Sequence, residues 1–162
     1  SRLLSCPGVV PLEVIVPELL AGNDRREAEL DRTARLLNES LMNYETPVVF
    51  TSRKIEQPGK LTELEVARSV SSALVHLVQS LQVRPDFVIG KGGITSSDVG
   101  TQGLRARRAV VEGQVRPGVP VWRLGEESLF PGLAYVVFPG NVGTPETLLD
   151  IVLEMLGADA VS

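Results

Sequence analysis

The sequence predicts an α/β protein: a layered sandwich with a mostly parallel sheet, helices on both faces and a short antiparallel excursion. Three observations predict it. Short apolar runs bounded by Pro, Gly or Asp alternate with segments of helical periodicity. Two of those runs, Phe87-Val88-Ile89 and Tyr135-Val136-Val137-Phe138, pass straight into glycine-rich loops and then into helix-starting residues. Between them, two strand-like runs follow one another with no helix in between, as antiparallel neighbours do.

At 162 residues with 43% hydrophobic and 22% charged side chains, the chain reads as one domain, 1–162, with enough apolar surface for a real core. The net charge of −4 argues against nucleic acid as a partner. Arg105, Arg107 and Arg108 form a local basic knot that reads as a solvated helix end. Cys6 is the sole cysteine, so an internal disulfide and a cysteine-based metal site are excluded. That suits a reducing, cytoplasmic setting. No apolar run reaches the roughly 18 residues a membrane span needs. There is no signal-peptide layout, and Ser1-Arg2-Leu3-Leu4 reads as the tail of a helix already under way, as in a piece of a longer protein.

Leu12 to Val16, β-branched at Val14, Ile15 and Val16, predicts the first strand. Pro17 to Gly22 is a turn or short helical piece. Asp24 with Glu27 resembles a capping signal for a helix to about Tyr44, with Leu30, Ala34, Leu37, Leu41 and Tyr44 on one stripe and Arg25, Glu29, Arg32 and Glu39 off it. Pro47 to Phe50 is the second strand. It ends in Thr51-Ser52-Arg53-Lys54, where two hydroxyls and two cations stand at a strand C-terminus, the edge at which α/β sheets gather ligands; a solvated loop is the alternative. After a loop to Lys60, Thr62-x-x-Glu65 is a capping box. It opens a helix to about Leu81 with Leu64, Ala67, Val70, Leu74, Leu77 and Leu81 inward. His76, the single histidine, lies on the other face and reads as solvated.

The strand Phe87–Ile89 then leads into Gly90-Lys91-Gly92-Gly93-Ile94-Thr95-Ser96-Ser97-Asp98. Glycine lets backbone approach a ligand closely. Thr95 reads as an N-cap, with Asp98 completing the box, for a helix from Ser96 to about Arg105. Such a helix start points free N–H groups and the positive dipole end at the loop, an arrangement that binds phosphate. Lys91 adds a charge and Thr95, Ser96 and Ser97 add hydroxyls. The loop matches neither GxxxxGK[ST] nor GxGxxG, so a tight turn whose glycines serve packing is the competing reading. Gly100 and Gly103 in the following helix suit close packing.

Ala109–Val115 and Val121–Leu124 are strands around the turn Pro117-Gly118-Val119-Pro120. Trp122 and Phe130 suit either core or a contact with another subunit or domain, so a homo-oligomer is compatible with the sequence. The last strand, Leu133 to Phe138, is apolar without alternation, as in a strand buried on both faces. Pro139-Gly140-Asn141-Val142-Gly143 follows, then Thr144 as N-cap and Pro145 at the first helical position of a helix to Gly157. Two strand–glycine loop–helix units at one sheet edge can face one nucleotide or phosphate together. A Rossmann dinucleotide domain is disfavoured, because the only acidic residue about 20 positions on, Glu112, sits inside a strand.

Gly92-Gly93-Ile94-Thr95, Pro117-Gly118-Val119-Pro120 and Pro139-Gly140-Asn141-Val142-Gly143, in that order and spacing, resemble the C-terminal nucleotide-binding domain of the four-carbon acid sugar kinase family. The likeness extends over nearly the whole chain. It implies an ATP- and Mg²⁺-dependent kinase for acids such as threonate or erythronate, with this chain as the C-terminal part of a two-domain protein. Carried over, Gly92, Gly93, Ile94 and Thr95, with Lys91 and Ser96, line the nucleotide phosphates, and Gly140, Asn141 and Gly143 border the nucleotide from the second loop. The resemblance assigns no catalytic residue and no protein metal ligand here. Two positions depart from the family: Ile94 stands where an acidic residue is common, and Phe138-Pro139 where Lys-Ser often precedes Gly140. The acid-sugar site belongs to an N-terminal domain that nothing here matches. The resemblance therefore implies nucleotide binding without transfer by this chain alone; a regulatory binding module is the alternative.

Overall fold

The computed structural model describes residues 2–52, 61–144 and 146–157. The protein is α/β and divides into two compact units, Gly8–Val83, and Arg84–Ser162 together with Ser1–Pro7.

In the Gly8–Val83 unit, β1 (Val9–Val14) and β2 (Thr46–Thr51) pair in parallel, in register from Val9 opposite Thr46 to Val14 opposite Thr51. Between and after them run α1 (Val16–Leu20), α2 (Asn23–Met42) and α3 (Glu63–Gln79). The core joins Leu12 and Val14 of β1 to Leu19, Leu30, Leu37, Ala73 and Leu77 of the helices. The strand thus stops before Ile15, because Val16 already begins a helix with Pro17 in its first turn.

Three further sequence expectations are corrected in this unit. Tyr44 is not on the inward stripe. The helix ends at Met42, and Tyr44 sits at φ 59° with 98% of its surface exposed. The start of α2 is Gly22 at φ 112°, with no side-chain cap from Asp24. In α3 the buried stripe runs through Val66, Val70, Ala73 and Leu77, which leaves Leu64 and Ala67 exposed. At about 100° per residue, Leu64 points to the far side from Val66. The Thr62 capping box is present. The Thr62 N–H donates to Glu65 Oε2 at 2.7 Å and the Glu65 N–H donates to Thr62 Oγ1 at 3.2 Å. The bond from the Thr62 N–H, with a second from the Thr62 hydroxyl at 2.9 Å, holds the Glu65 carboxyl below its ordinary range. His76 is exposed. Arg53, Lys54 and the loop to Lys60 lie outside the described residues, while Ser52 is half-buried.

In the other unit, β3 (Phe87–Lys91), β4 (Ala109–Arg116), β5 (Val119–Leu124) and β6 (Ala134–Phe138) form one sheet in the order β3-β6-β5-β4. The β3–β6 pair is parallel, and β6–β5 and β5–β4 are antiparallel. The parallel pairing is thus shared between two sheets, and the antiparallel excursion lies in this one. β6 is central, which explains its unbroken apolar run: Tyr135, Val136 and Phe138 are all buried. Successive residues point to opposite faces. Val136 and Phe138 pack with Ile151, Leu148 and Met155 of α5 (Thr147–Met155), while Tyr135 reaches α4 (Gly93–Asp98). Helices therefore cover both faces of the β3–β6 pair.

Candidate nucleotide-binding site

Parallel neighbours end at the same edge of a sheet, so the loops after β3 and β6 emerge side by side. Lys91 lies opposite Phe138, and the Gly92 N–H donates to the Phe138 carbonyl at 2.9 Å. β5 runs the other way, which brings the β4–β5 turn to this edge too. A Cβ on Gly118 would stand 3.6 Å from Val142 Cγ2. The three motifs picked out in the sequence, at 92–95, 117–120 and 139–143, therefore meet at one rim.

The first loop turns at Gly92, whose φ of 95° a side chain would strain, and α4 begins at once with Gly93. Here the sequence reading is corrected. Gly92 is the N-cap, Thr95 is the third helical residue, and α4 has no side-chain cap, so a Thr95–Asp98 box does not start it. Ser96 is the first residue to donate back, to the Gly92 carbonyl at 2.9 Å. Among the described residues, the N–H groups of Gly93, Ile94 and Thr95 have no backbone acceptor. Among the described residues, nothing beyond the chain neighbours lies within 4 Å of where a Cβ on Gly92 or Gly93 would be. Lys91 and Ile94 are exposed beside them, Ile94 at 76%.

Ser96 plays a different part from the expected one. It is buried, and its hydroxyl donates to the Gly90 carbonyl at 2.7 Å, so it closes the loop on itself rather than facing outward. Its own carbonyl accepts the Tyr135 hydroxyl at 2.6 Å. Burial pushes the Tyr135 phenol far above its ordinary range, so the group stays a donor. Two glycines make room for this ring. A Cβ on Gly90 would stand 3.0 Å from Ser96 Cα and collide with the Tyr135 hydroxyl, and one on Gly100 would come within 2.9 Å of Tyr135 Cε1. Gly100 thus permits close approach of a strand. It lies in a π-helical turn, Val99–Gly103, that continues α4. The helix expected to reach Arg105 ends there, and Arg105 takes φ 56°. Arg107 and Arg108 donate their N–H groups to Glu127 Oε1 at 2.9 and 2.6 Å, with exposed side chains.

In the second loop, Gly140 and Asn141 are exposed, and Gly140 faces unfilled space. Gly143 needs its φ of 73°, and Thr147 packs against it too tightly for a Cβ. Thr144 is not the N-cap. Its N–H donates to Thr147 Oγ1 at 2.8 Å, and α5 starts at Thr147, later than expected. Pro145 lies outside the described residues. Trp122 is half-buried, with its indole N–H enclosed and without a partner among the described residues, and Phe130 is half-buried.

The rim thus presents consecutive backbone N–H groups, a helix N-terminus and the Lys91 ammonium, which together suit an anion. A family model described as a nucleotide-binding C-terminal domain matches residues 2–148. The chain belongs to that family. No curated protein matches the sequence. Among solved structures, this nucleotide-binding C-terminal domain is similar in fold to a Haemophilus influenzae protein, at 18% identity and a TM-score of 0.69 over 91% of this chain and 34% of the other. A Salmonella typhimurium LT2 protein, provisionally described as a tRNA synthase, matches at 21% identity and a TM-score of 0.68, over 89% of this chain and 34% of its own. A Bordetella bronchiseptica domain of unknown function, crystallised with citrate as a domain-swapped dimer, matches at 16% identity and a TM-score of 0.59, over 94% and 42%. The nucleotide-binding domain therefore spans between about a third and two fifths of these relatives' lengths.

Within the domain, the first loop brings together Lys91, Gly92, Gly93, Ile94 and Thr95, and the second loop sets Gly140, Asn141 and Gly143 at the same rim. Sequence reasoning missed Tyr135 and Thr147. Tyr135 is hidden in an apolar run, and its partner is 39 residues away. Thr147 had a local signal, three residues after Thr144, that was outweighed by Pro145.

Proposed function

We propose that this domain is the ATP-binding part of a kinase that phosphorylates a four-carbon sugar acid, of the threonate, erythronate or oxo-tetronate type. The observation that carries the reading is the junction of the two glycine loops at the ends of β3 and β6, joined by the Gly92–Phe138 hydrogen bond. The N–H groups of Gly93, Ile94 and Thr95 hold the phosphates, and Lys91 supplies a cation at the same rim in place of the lysine that Phe138-Pro139 lacks. Gly140, Asn141 and Gly143 border the nucleotide. Among the described residues no group of three His, Cys, Asp or Glu side chains is placed to hold a metal. Mg²⁺ would arrive with ATP and offset the charge of its phosphates; this ion usually keeps several waters and binds through phosphate oxygens.

Phosphoryl transfer depends on positioning both substrates. The sugar-acid groups and the catalytic base belong to the N-terminal domain of the full protein, so this chain alone binds nucleotide without turnover. The setting is cytoplasmic. Among the described residues no helix is long and apolar enough to cross a membrane. A homo-oligomer would parallel the domain-swapped Bordetella relative. Calorimetric titration with ADP and Mg²⁺ tests the reading, with Gly93→Asp as the comparison. Saturable binding by the wild type that the variant loses supports it, and no binding by the wild type overturns it. Sugar-dependent ADP release by this chain, assayed with ATP and a threonate panel, would refute the need for a second domain. A phosphate-binding regulatory module is the second reading. It is favoured by Ile94, whose apolar side chain replaces an acidic one, and predicts binding that persists without transfer even in the full-length protein.

A further inference from the structure

Tyr135 is not among the residues that face the rim, yet the first loop is built around it. It is 4% exposed and stands on the strand that feeds the second loop. Its hydroxyl ends on the Ser96 carbonyl at 2.6 Å, and Ser96 in turn reaches the Gly90 carbonyl at 2.7 Å. The hydroxyl end of the ring lies against Gly90 and its Cε1 against Gly100, at positions where even a methyl group would not fit. Gly100 is in the π-helical turn, a wider coil that often accompanies function. One side chain from β6 thus fixes the end of β3, the first turn of α4 and the widened turn beyond it.

We infer that Tyr135 is a positioning residue for nucleotide phosphate: through Ser96 it sets the loop that aims the Gly93, Ile94 and Thr95 N–H groups. The inference rests on the nucleotide reading above and names what makes that site rigid. A preorganised donor set need not be ordered when the anion arrives, so loosening it weakens phosphate binding and leaves contacts to the nucleoside alone. The same ring joins the strands of both glycine loops, so the two halves of the site move as one.

The test compares wild type with Tyr135→Phe, which keeps the ring and removes only the hydroxyl. Gly100→Ala is the second variant; it retains the hydroxyl and displaces the ring. Titration with ADP–Mg²⁺ and with adenosine is combined with amide hydrogen exchange at residues 93–96 without nucleotide. Loss of the buried hydrogen bond in the first variant, and displacement of the ring that makes it in the second, should each lower ADP affinity by about fivefold to tenfold. Adenosine affinity should stay within about twofold, and exchange at residues 93–96 should quicken. An ADP-to-adenosine affinity ratio that stays at the wild-type value in a folded variant overturns the inference, as does unchanged exchange at these amides. If both ligands weaken equally, Tyr135 is a general packing residue and the inference is again overturned. Failure of the wild type to bind ADP would instead overturn the nucleotide reading, and the exchange measurement would still decide whether Tyr135 sets the loop.

Discussion

Two strand-to-helix junctions in this chain start from the same plan and end differently. β1 passes into α1 and β3 passes into α4, and each strand is paired in parallel with a neighbour. At the first junction the helix start is closed by the protein itself. The Ile15 N–H donates to Glu29 Oε1 at 2.7 Å and the Val16 N–H donates to Ser52 Oγ at 3.0 Å. Pro17 has no N–H, and Glu18 donates to the Ile15 carbonyl at 3.0 Å. At the second junction, among the described residues, no side chain caps the helix, and the N–H groups of Gly93, Ile94 and Thr95 have no backbone acceptor. A helix start favours an anion, and a carboxylate of the chain fills that role in one unit, while in the other no described side chain fills it.

Glu29 shows how firmly the closed junction is held. It is 5% exposed, and Arg32 grips it with Nε at 2.8 Å and Nη2 at 2.6 Å. Burial alone would raise its pKa. The Arg32 and Ile15 bonds outweigh burial and hold it below the ordinary carboxylate range.

The comparison can be broken most severely at Gly90. Gly90→Val would force side-chain atoms into Tyr135 and Ser96 Cα, and should cost about 3 kcal/mol through overpacking. Urea denaturation measures it, and a loss under about 1 kcal/mol would mean the ring has room to move. Gly93→Asp should turn the open junction into a closed one. The side chain has space, so the melting point should hold, while ADP affinity falls roughly thirtyfold, or about 2 kcal/mol. Unchanged ADP binding would separate this loop from the phosphates.

Glu29→Gln weakens the closed junction, with an expected loss of about 1.5 kcal/mol at neutral pH. Its pH dependence carries a sign. A carboxyl with a depressed folded pKa contributes stability that is present above its unfolded pKa and lost as pH falls through the folded value. The variant should therefore lose less stability than wild type on acidification, and parallel acid limbs would exclude Glu29 as a source. Ser52→Ala should give the smallest effect, about 1 kcal/mol, because Ser52 is only half-buried and water can reach the place of its hydroxyl. A variant as stable as wild type would show that water replaces the hydroxyl.

Much of the fold was legible because its signals are local. Thr62 and Glu65 are three residues apart, and their capping box forms as read. The glycine bends, the buried character of β6 and the antiparallel pair around Pro117-Gly118 were equally plain. Thr95 and Asp98 have the same spacing as Thr62 and Glu65, yet α4 is not capped by them, because the turn at Gly92 starts the helix two residues before Thr95. Glu29 looked like any charged residue on an outer helix face until the β1–α1 junction was placed over it.

The sequence by itself determined where the chain can bend and which runs are apolar enough to lie inside, and it carried, at 92–95, 117–120 and 139–143, the motifs that mark the family. Those properties reside in neighbouring residues and their backbone preferences. Only tertiary structure decided which helix start keeps its donors free, because the groups that close or shape each start, Glu29, Ser52 and Tyr135, come from residues 14, 36 and 39 positions away along the chain. Separations of that size lie beyond what any local pattern of residues encodes.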